Sequence, residues 1–359
     1  MKIRAVEMTR HSIPLREAYA LSSGDYDRAE IFTVVVRTER GEVGLGSAAP
    51  APEVTGETAT QCEAALRSIG SAILVGADIA ALPALLVELG RALVATPAAR
   101  AALDIALHDL VARQRGIPLV ELFGRVHTAL PTSVTIGILP AERAVERARV
   151  AVAAGFHVLK IKLGRSVDED VDRLHRIRAA VGADVRLRTD PNAGYSAVDL
   201  THYLAATRSL AIELCEQPLA RGADGTLRAL DAGVRAALAA DESVISEADV
   251  ASLITPPQPF GVWNLKLMKT GGLAPALRMA SRAQTAGLGL MWGSNDESVI
   301  SIAAALAAAY ASPATRFLDL DGSFDLVEDV AHGGFTVANG ILELTDEPGL
   351  GVHLKSEFR

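Results

Sequence analysis

The feature that most limits the fold of this chain is a rhythm that begins near residue 131. Short β-branched or apolar runs alternate there with helix-patterned segments. TSVTIGI precedes AERAVERARVAVAAG, HVLKIKL precedes SVDEDVDRLHRIRAAVG, and DVRLRTD precedes SAVDLTHYLAATRS. The series continues through AIELCEQ, RAALAADE, GVWNLKLMK and LGLMWGS and closes on TRFLDLD, which makes eight strand-like runs. Strands spaced by helices in this way imply parallel strands joined by helical crossovers. Eight of them predict a closed barrel, whose chemistry gathers at the C-terminal ends of the strands.

The segment before the barrel reads differently. KIRAVEMTRHSI and IFTVVVRT have strand character, and ERGE turns the second into VGLGSAAP, with Gly41 in the turn. Helical patterns follow in GETATQCEAALRSIGSAIL and AARAALDIALHDLVARQRG; the latter stops at Gly116, with Pro118 beyond. The expected organisation is an α+β capping domain over 1–125, a barrel over 126–325, and a tail over 326–359 that returns to the cap as β structure.

Composition excludes several classes. A formal net charge of −8 with interspersed signs gives no basic footprint, so no nucleic-acid partner is expected. The longest apolar run, ISIAAALAAAYA, is too short to span a bilayer, and the first residues lack the apolar stretch of a signal peptide. Two cysteines, Cys62 and Cys215, lie far apart, which suits a reducing compartment. A soluble, cytoplasmic protein without a membrane partner is expected. Cys215 is read as buried packing rather than a nucleophile, and His108 and His157 as satisfied by local hydrogen bonds. Lys269 is expected to be exposed.

The strand ends carry charge. Asp190, Glu216, Asp241 and Lys266 follow one another at intervals of 26, 25 and 25 residues, about one strand–helix unit each. They therefore take the same place on successive strands and converge on one rim. Three carboxylates on neighbouring strands suit a hard divalent cation such as Mg²⁺. Lys160 and Lys162 share one face of the apolar strand LKIKL, and Lys266 lies four strands further on, opposite them in an eight-stranded ring. That arrangement suits removal of a proton next to a carboxylate. A cation would hold the carboxylate and stabilise the enediolate, one lysine would take the proton, and the other would return it from the opposite face. The acting lysine must lose its proton near neutral pH, which burial, a cation and the ammonium of Lys160 would favour. The pair Asp319 and Asp321 in FLDLD closes the series at the eighth strand. A Schiff-base aldolase using Lys162 or Lys266 is the alternative from another class, but it has no need of three carboxylates.

The motifs LKIKLG, DPNAGY, CEQP, ADES and NLKLMKTGG, in this order, resemble the enolase superfamily and within it the muconate-lactonizing subgroup. The resemblance implies an N-terminal α+β cap on a modified (β/α)7β barrel with Mg²⁺. It implies metal ligands at Asp190, Glu216 and Asp241, an acid/base pair at Lys162 and Lys266, and substrate contacts from Lys160, Thr135 and Ser294. Asp-x-Asp at the eighth strand, here Asp319 and Asp321, resembles the dipeptide epimerases of that subgroup, where the pair binds a free α-ammonium. An N-acylamino acid racemase or a cycloisomerase is the alternative within the superfamily. A homo-oligomer is also implied. In the loop that chooses the substrate side chain in such enzymes, Asp25 and Asp27 would favour a basic side chain, and Arg28 an acidic one.

Overall fold

A computed structural model of the chain describes residues 1–20 and 25–358. The cap opens with three antiparallel strands in the order β1 (Ile3–Ala20), β2 (Asp25–Thr38) and β3 (Val43–Ala48). The helix Pro97–Arg115 lies across β3. Two glycines allow its close approach: a Cβ on Gly46 would stand 1.9 Å from the Ala102 carbonyl oxygen, and one on Gly44 2.1 Å from that of Ala106. Asp109, buried on this helix, accepts the Leu45 amide at 2.8 Å and the Leu350 amide at 2.7 Å. One carboxylate thus joins the sheet, the helix and the returning tail. The tail adds the hairpin Phe335–Ala338 and Ile341–Leu344, which pairs with Leu130–Pro131.

Eight parallel strands form the barrel: Val134–Ile136, Val158–Lys162, Arg186–Asp190, Ile212–Glu216, Leu238–Ala240, Val262–Leu265, Gly289–Gly293 and Thr315–Asp319. They are called here the first to the eighth barrel strand. Between the eighth and the first, the seam is held by the Ser133 amide on the Leu318 carbonyl at 3.1 Å. Arg188, buried inside the barrel, donates to the same carbonyl at 2.7 Å and to Glu213 at 2.7 Å, with its guanidinium over the Phe317 ring. A buried charge held by this many partners fixes the eighth strand, and with it the rim residues that follow.

One buried carboxylate fastens the long helix of the cap, and a second locks that helix onto the barrel. Glu57, fully buried, accepts the Ala98 amide at 2.7 Å and so caps the helix Pro97–Arg115, whose own N-cap Thr96 makes no such bond. Asp104 on that helix accepts the Leu273 amide at 2.8 Å, at the start of the barrel helix Leu273–Thr285. It also lies 3.1 Å from His108 Nδ1, and the carboxylate holds the imidazole above its ordinary value although burial opposes it. One expected helix is interrupted: Ala59–Ala64 and Ser71–Leu74 are separated by a wider π-helical turn over Ala65–Gly70. There Gly70 sits where a Cβ would meet Leu103 at 2.8 Å. Among the described residues, no helix is long and apolar enough to cross a membrane.

Candidate active site

The cap closes over the C-terminal ends of the barrel strands and leaves a cavity of about 530 Å³. That is within the ordinary range for a small-molecule site. Lys160, Lys162, Asp241, Lys266, Lys269, Asp319 and Asp321 line its floor, with Thr135 and Ser294 beside them.

Strand alternation places these groups. Lys160 and Lys162, two apart on the second strand, both point inward. Asp190 and Glu216 are the last residues of the third and fourth strands, and Asp241 and Lys266 each follow the end of theirs. Lys162 Nζ donates to Asp190 Oδ2 at 2.7 Å and to Asn192 Oδ1 at 3.2 Å. Lys266 Nζ donates to Asp241 Oδ2 at 2.9 Å. Lys160 Nζ lies at the centre, 3.0 Å from Asp190, 2.7 Å from Glu216 and 2.7 Å from Asp319. Its approach to Glu216 Oε2 is an ion pair by distance, but that oxygen has no aligned hydrogen-bond donor.

Lys269 is not exposed as expected. It is buried, donating to the Asp241 carbonyl at 2.7 Å, to the Asn264 carbonyl at 3.1 Å and to the Asp241 carboxylate. It lies on the short helical turn Leu267–Thr270, whose backbone direction swings its side chain back under the rim. Spacing from Lys266 does not reveal this, because three residues along a strand and three around a turn point to different sides.

Burial and repulsion set the charge states. Burial disfavours the Asp190 carboxylate, but Lys160 and Lys162 outweigh it and bring the group down to about 2. Glu216 goes the other way: burial, then the charge of Asp190, pushes it up to about 8. Glu242 is pushed up to about 7 by burial and by Asp241. Lys266 is not lowered as a proton acceptor requires. Burial works against the Lys266 ammonium, yet Asp241 and Glu216 hold it above its ordinary value, and Lys160 is raised in the same way by Asp190, Asp319 and Glu216. The carboxylates crowded at the rim thus keep Lys160 and Lys266 protonated.

Asp319 and Asp321 have separated roles. Asp319 is taken by Lys160 and by Ser133 Oγ at 2.6 Å, and these partners hold it below its ordinary value against burial. Asp321 lies beyond the strand end, where the Thr135 amide donates to its Oδ2 at 2.6 Å. Burial, then Asp319, pushes Asp321 up to about 7. Ser294 Oγ reaches the Asp319 carbonyl at 3.5 Å. Cys215 is buried and pushed up to about 12, chiefly by burial, which suits a packing role. On β2, Tyr26, Arg28 and Glu30 face the cavity, whereas Asp27 is exposed and the Asp25 side chain lies outside the described residues.

Among the described residues, no three acidic or imidazole side chains meet at one point unaided, because lysines stand between the carboxylates. The donor set nevertheless fits Mg²⁺. It offers hard carboxylate oxygens on three adjacent strands, and one of them, Glu216 Oε2, is buried without an aligned donor.

Fold and site together are a parallel barrel under an α+β cap, with carboxylates and buried lysines interleaved at its rim. The chain belongs to the enolase superfamily: residues 3–124 match the mandelate racemase / muconate lactonizing enzyme N-terminal domain, and residues 143–358 match the enolase C-terminal domain-like model. It is 49% identical over 352 residues to an L-Lys-D/L-Arg epimerase of Methylococcus capsulatus, covering 98% of this chain and 99% of that one. It is 44% identical to an L-Lys-D/L-Arg epimerase of Desulforapulum autotrophicum, again over 98% of this chain and 99% of the other. The crystal structure of the Methylococcus capsulatus dipeptide epimerase with Mg and the dipeptide L-Arg-D-Lys superposes with a TM-score of 0.96, covering 98% of this chain and 99% of that one.

Proposed function

We propose that this protein is a Mg²⁺-dependent dipeptide epimerase that inverts the α-carbon of the C-terminal residue, with dipeptides bearing basic side chains as its substrates. The observation that carries this reading is Asp321, a buried cavity-lining carboxylate that burial and then the charge of Asp319 push up to about 7, and that a positive charge beside it would keep ionised. A free α-ammonium supplies that charge. N-acylated amino acids and lactone precursors do not.

The chemistry follows from the two faces of the cavity. Lys162 ends the second barrel strand and Lys266 directly follows the sixth of eight, so the two would flank the substrate α-carbon from opposite sides. One, in its neutral form, takes the α-proton, and the electron pair moves into the substrate carboxylate. The other, as an ammonium, delivers a proton to the opposite face, and the carbon is inverted with no net change in atoms. Asp190, Glu216 and Asp241 would hold Mg²⁺, which supplies the positive charge that draws the substrate carboxylate and offsets the charge arriving on it. With those acids so occupied, less negative charge bears on Lys266. Lys160, central among Asp190, Glu216 and Asp319, would meet the carboxylate end of the substrate.

Basic side chains are favoured by the cavity wall, where Glu17, Glu30, Glu53, Asp296 and Asp325 outnumber Arg28, Arg147 and Arg221. Arg28, the residue that would favour an acidic side chain, already donates to Ser12 Oγ at 2.8 Å. The two relatives named for lysine and arginine dipeptides support the same reading. The test is a dipeptide panel with basic, acidic and apolar C-terminal residues, assayed with Mg²⁺ by chiral chromatography. Epimerisation led by lysine- or arginine-containing dipeptides is expected. A preference for acidic dipeptides, or turnover of N-acylated amino acids alone, would overturn it.

A further inference from the structure

We infer that Asn264 is a positioning residue for the cation site, because it takes one oxygen of Glu216 and leaves the other, now 2.7 Å from Lys160 Nζ, for the metal. The inference rests on the reading of Glu216 as a ligand of Mg²⁺.

Asn264 is fully buried on the sixth barrel strand, two residues before Lys266. Its Nδ2 donates to Glu216 Oε1 at 2.7 Å. With Glu216 ionised, as a metal ligand is, the opposite amide orientation would set two acceptor oxygens at that distance, so Nδ2 faces the carboxylate. The other carboxylate oxygen, Glu216 Oε2, is buried and lacks an aligned donor, with Lys160 Nζ 2.7 Å away. The amide therefore divides the Glu216 carboxylate into an oxygen it anchors and one held only by the charge of Lys160.

The surroundings hold the amide in place. Gly293 ends the seventh strand, and a Cβ there would come within 2.5 Å of Asn264 Oδ1. The absence of a side chain at Gly293 gives the amide its space. On the other side, the Asn264 carbonyl accepts Lys269 Nζ at 3.1 Å, and Lys269 also grips the Asp241 carbonyl at 2.7 Å. A strand that supplies the proton-transfer lysine thus also orients a carboxylate two strands away. The amide is uncharged, so its removal changes orientation without changing the charge of the site.

Partners of this kind typically change metal affinity about 10- to 100-fold when removed. The experiment is calorimetric titration of Mg²⁺ into substrate-free, metal-stripped protein for the wild type, Asn264→Ala, Asn264→Ser and Glu216→Gln. Thermal unfolding without metal is recorded for each. Activity is also followed against Mg²⁺ concentration. Asn264→Ala is expected to weaken Mg²⁺ binding about 10- to 100-fold. Asn264→Ser, smaller but still a donor, should lose less. Turnover of Asn264→Ala should recover at saturating Mg²⁺. Unchanged Mg²⁺ affinity in a folded Asn264→Ala protein, or a loss of turnover that no Mg²⁺ concentration restores, would overturn the positioning role. If Glu216→Gln binds Mg²⁺ as the wild type does, the ligand reading itself fails. If Glu216→Gln loses Mg²⁺ and Asn264→Ala does not, only the role of Asn264 fails.

Discussion

Replacing Asp321 by asparagine probes the end of the site that distinguishes a dipeptide from an acylated amino acid. The substitution keeps the shape, and an amide oxygen can still accept the Thr135 amide that Asp321 now holds at 2.6 Å. The fold should therefore be little affected. What is lost is one charge-assisted bond to the substrate ammonium. Hydrogen bonds to charged groups contribute about 1.5–3 kcal/mol, so kcat/KM for a free dipeptide should fall roughly 10- to 150-fold. The same dipeptide acetylated at its amino group should lose less than about threefold, within the usual effect of a neutral substitution. Asp321 titrates near about 7 and must be ionised to hold an ammonium, so kcat/KM for the free dipeptide should rise as pH passes through 7. It should fall again once the substrate α-ammonium loses its proton near about 8. Asp321→Asn should remove this contribution to the rising limb and leave the part set by deprotonation of the acting lysine. The assay is steady-state epimerisation followed by chiral chromatography from pH 6 to 9. Equal losses on free and acetylated substrates, or an unchanged acidic limb in the variant, would refute the assignment.

Two further expectations concern chemistry and stability. Lys162→Ala and Lys266→Ala should each lower epimerisation by at least about 10²-fold. Each variant should retain α-hydrogen exchange from one epimer only, and the two should retain opposite ones, as read by NMR in D₂O. Asp104→Ala would strand the Leu273 amide and the buried His108, and should cost about 1–3 kcal/mol in urea unfolding.

The barrel was legible in the sequence because parallel strands and crossover helices impose a regular period, and the rim charges inherit it. Asp190, Glu216, Asp241 and Lys266 fall where spacing places them. Contacts that bridge distant segments were not legible. Glu57 capping a helix 40 residues on, Asp104 meeting Leu273, and Asn264 reaching Glu216 two strands away follow from tertiary packing, which no local pattern encodes. Lys269 shows a different limit: a turn begins between it and Lys266 and reverses its direction. Asp319 and Asp321 look equivalent in FLDLD, but the strand ends at Asp319. That boundary gives Asp319 to Lys160 and sets Asp321 against the Thr135 amide.

The central claim is proton transfer at the α-carbon of a dipeptide's C-terminal residue. It is tested most directly by incubating L-Lys-L-Arg and L-Arg-L-Lys with the protein in D₂O, with Mg²⁺ or with EDTA, and reading both residues by mass spectrometry after hydrolysis. With Mg²⁺, one deuteron should appear at the α-carbon of the C-terminal residue and none at the N-terminal one, and EDTA should abolish the exchange. Deuterium at the N-terminal residue, or exchange that persists in EDTA, would contradict the account.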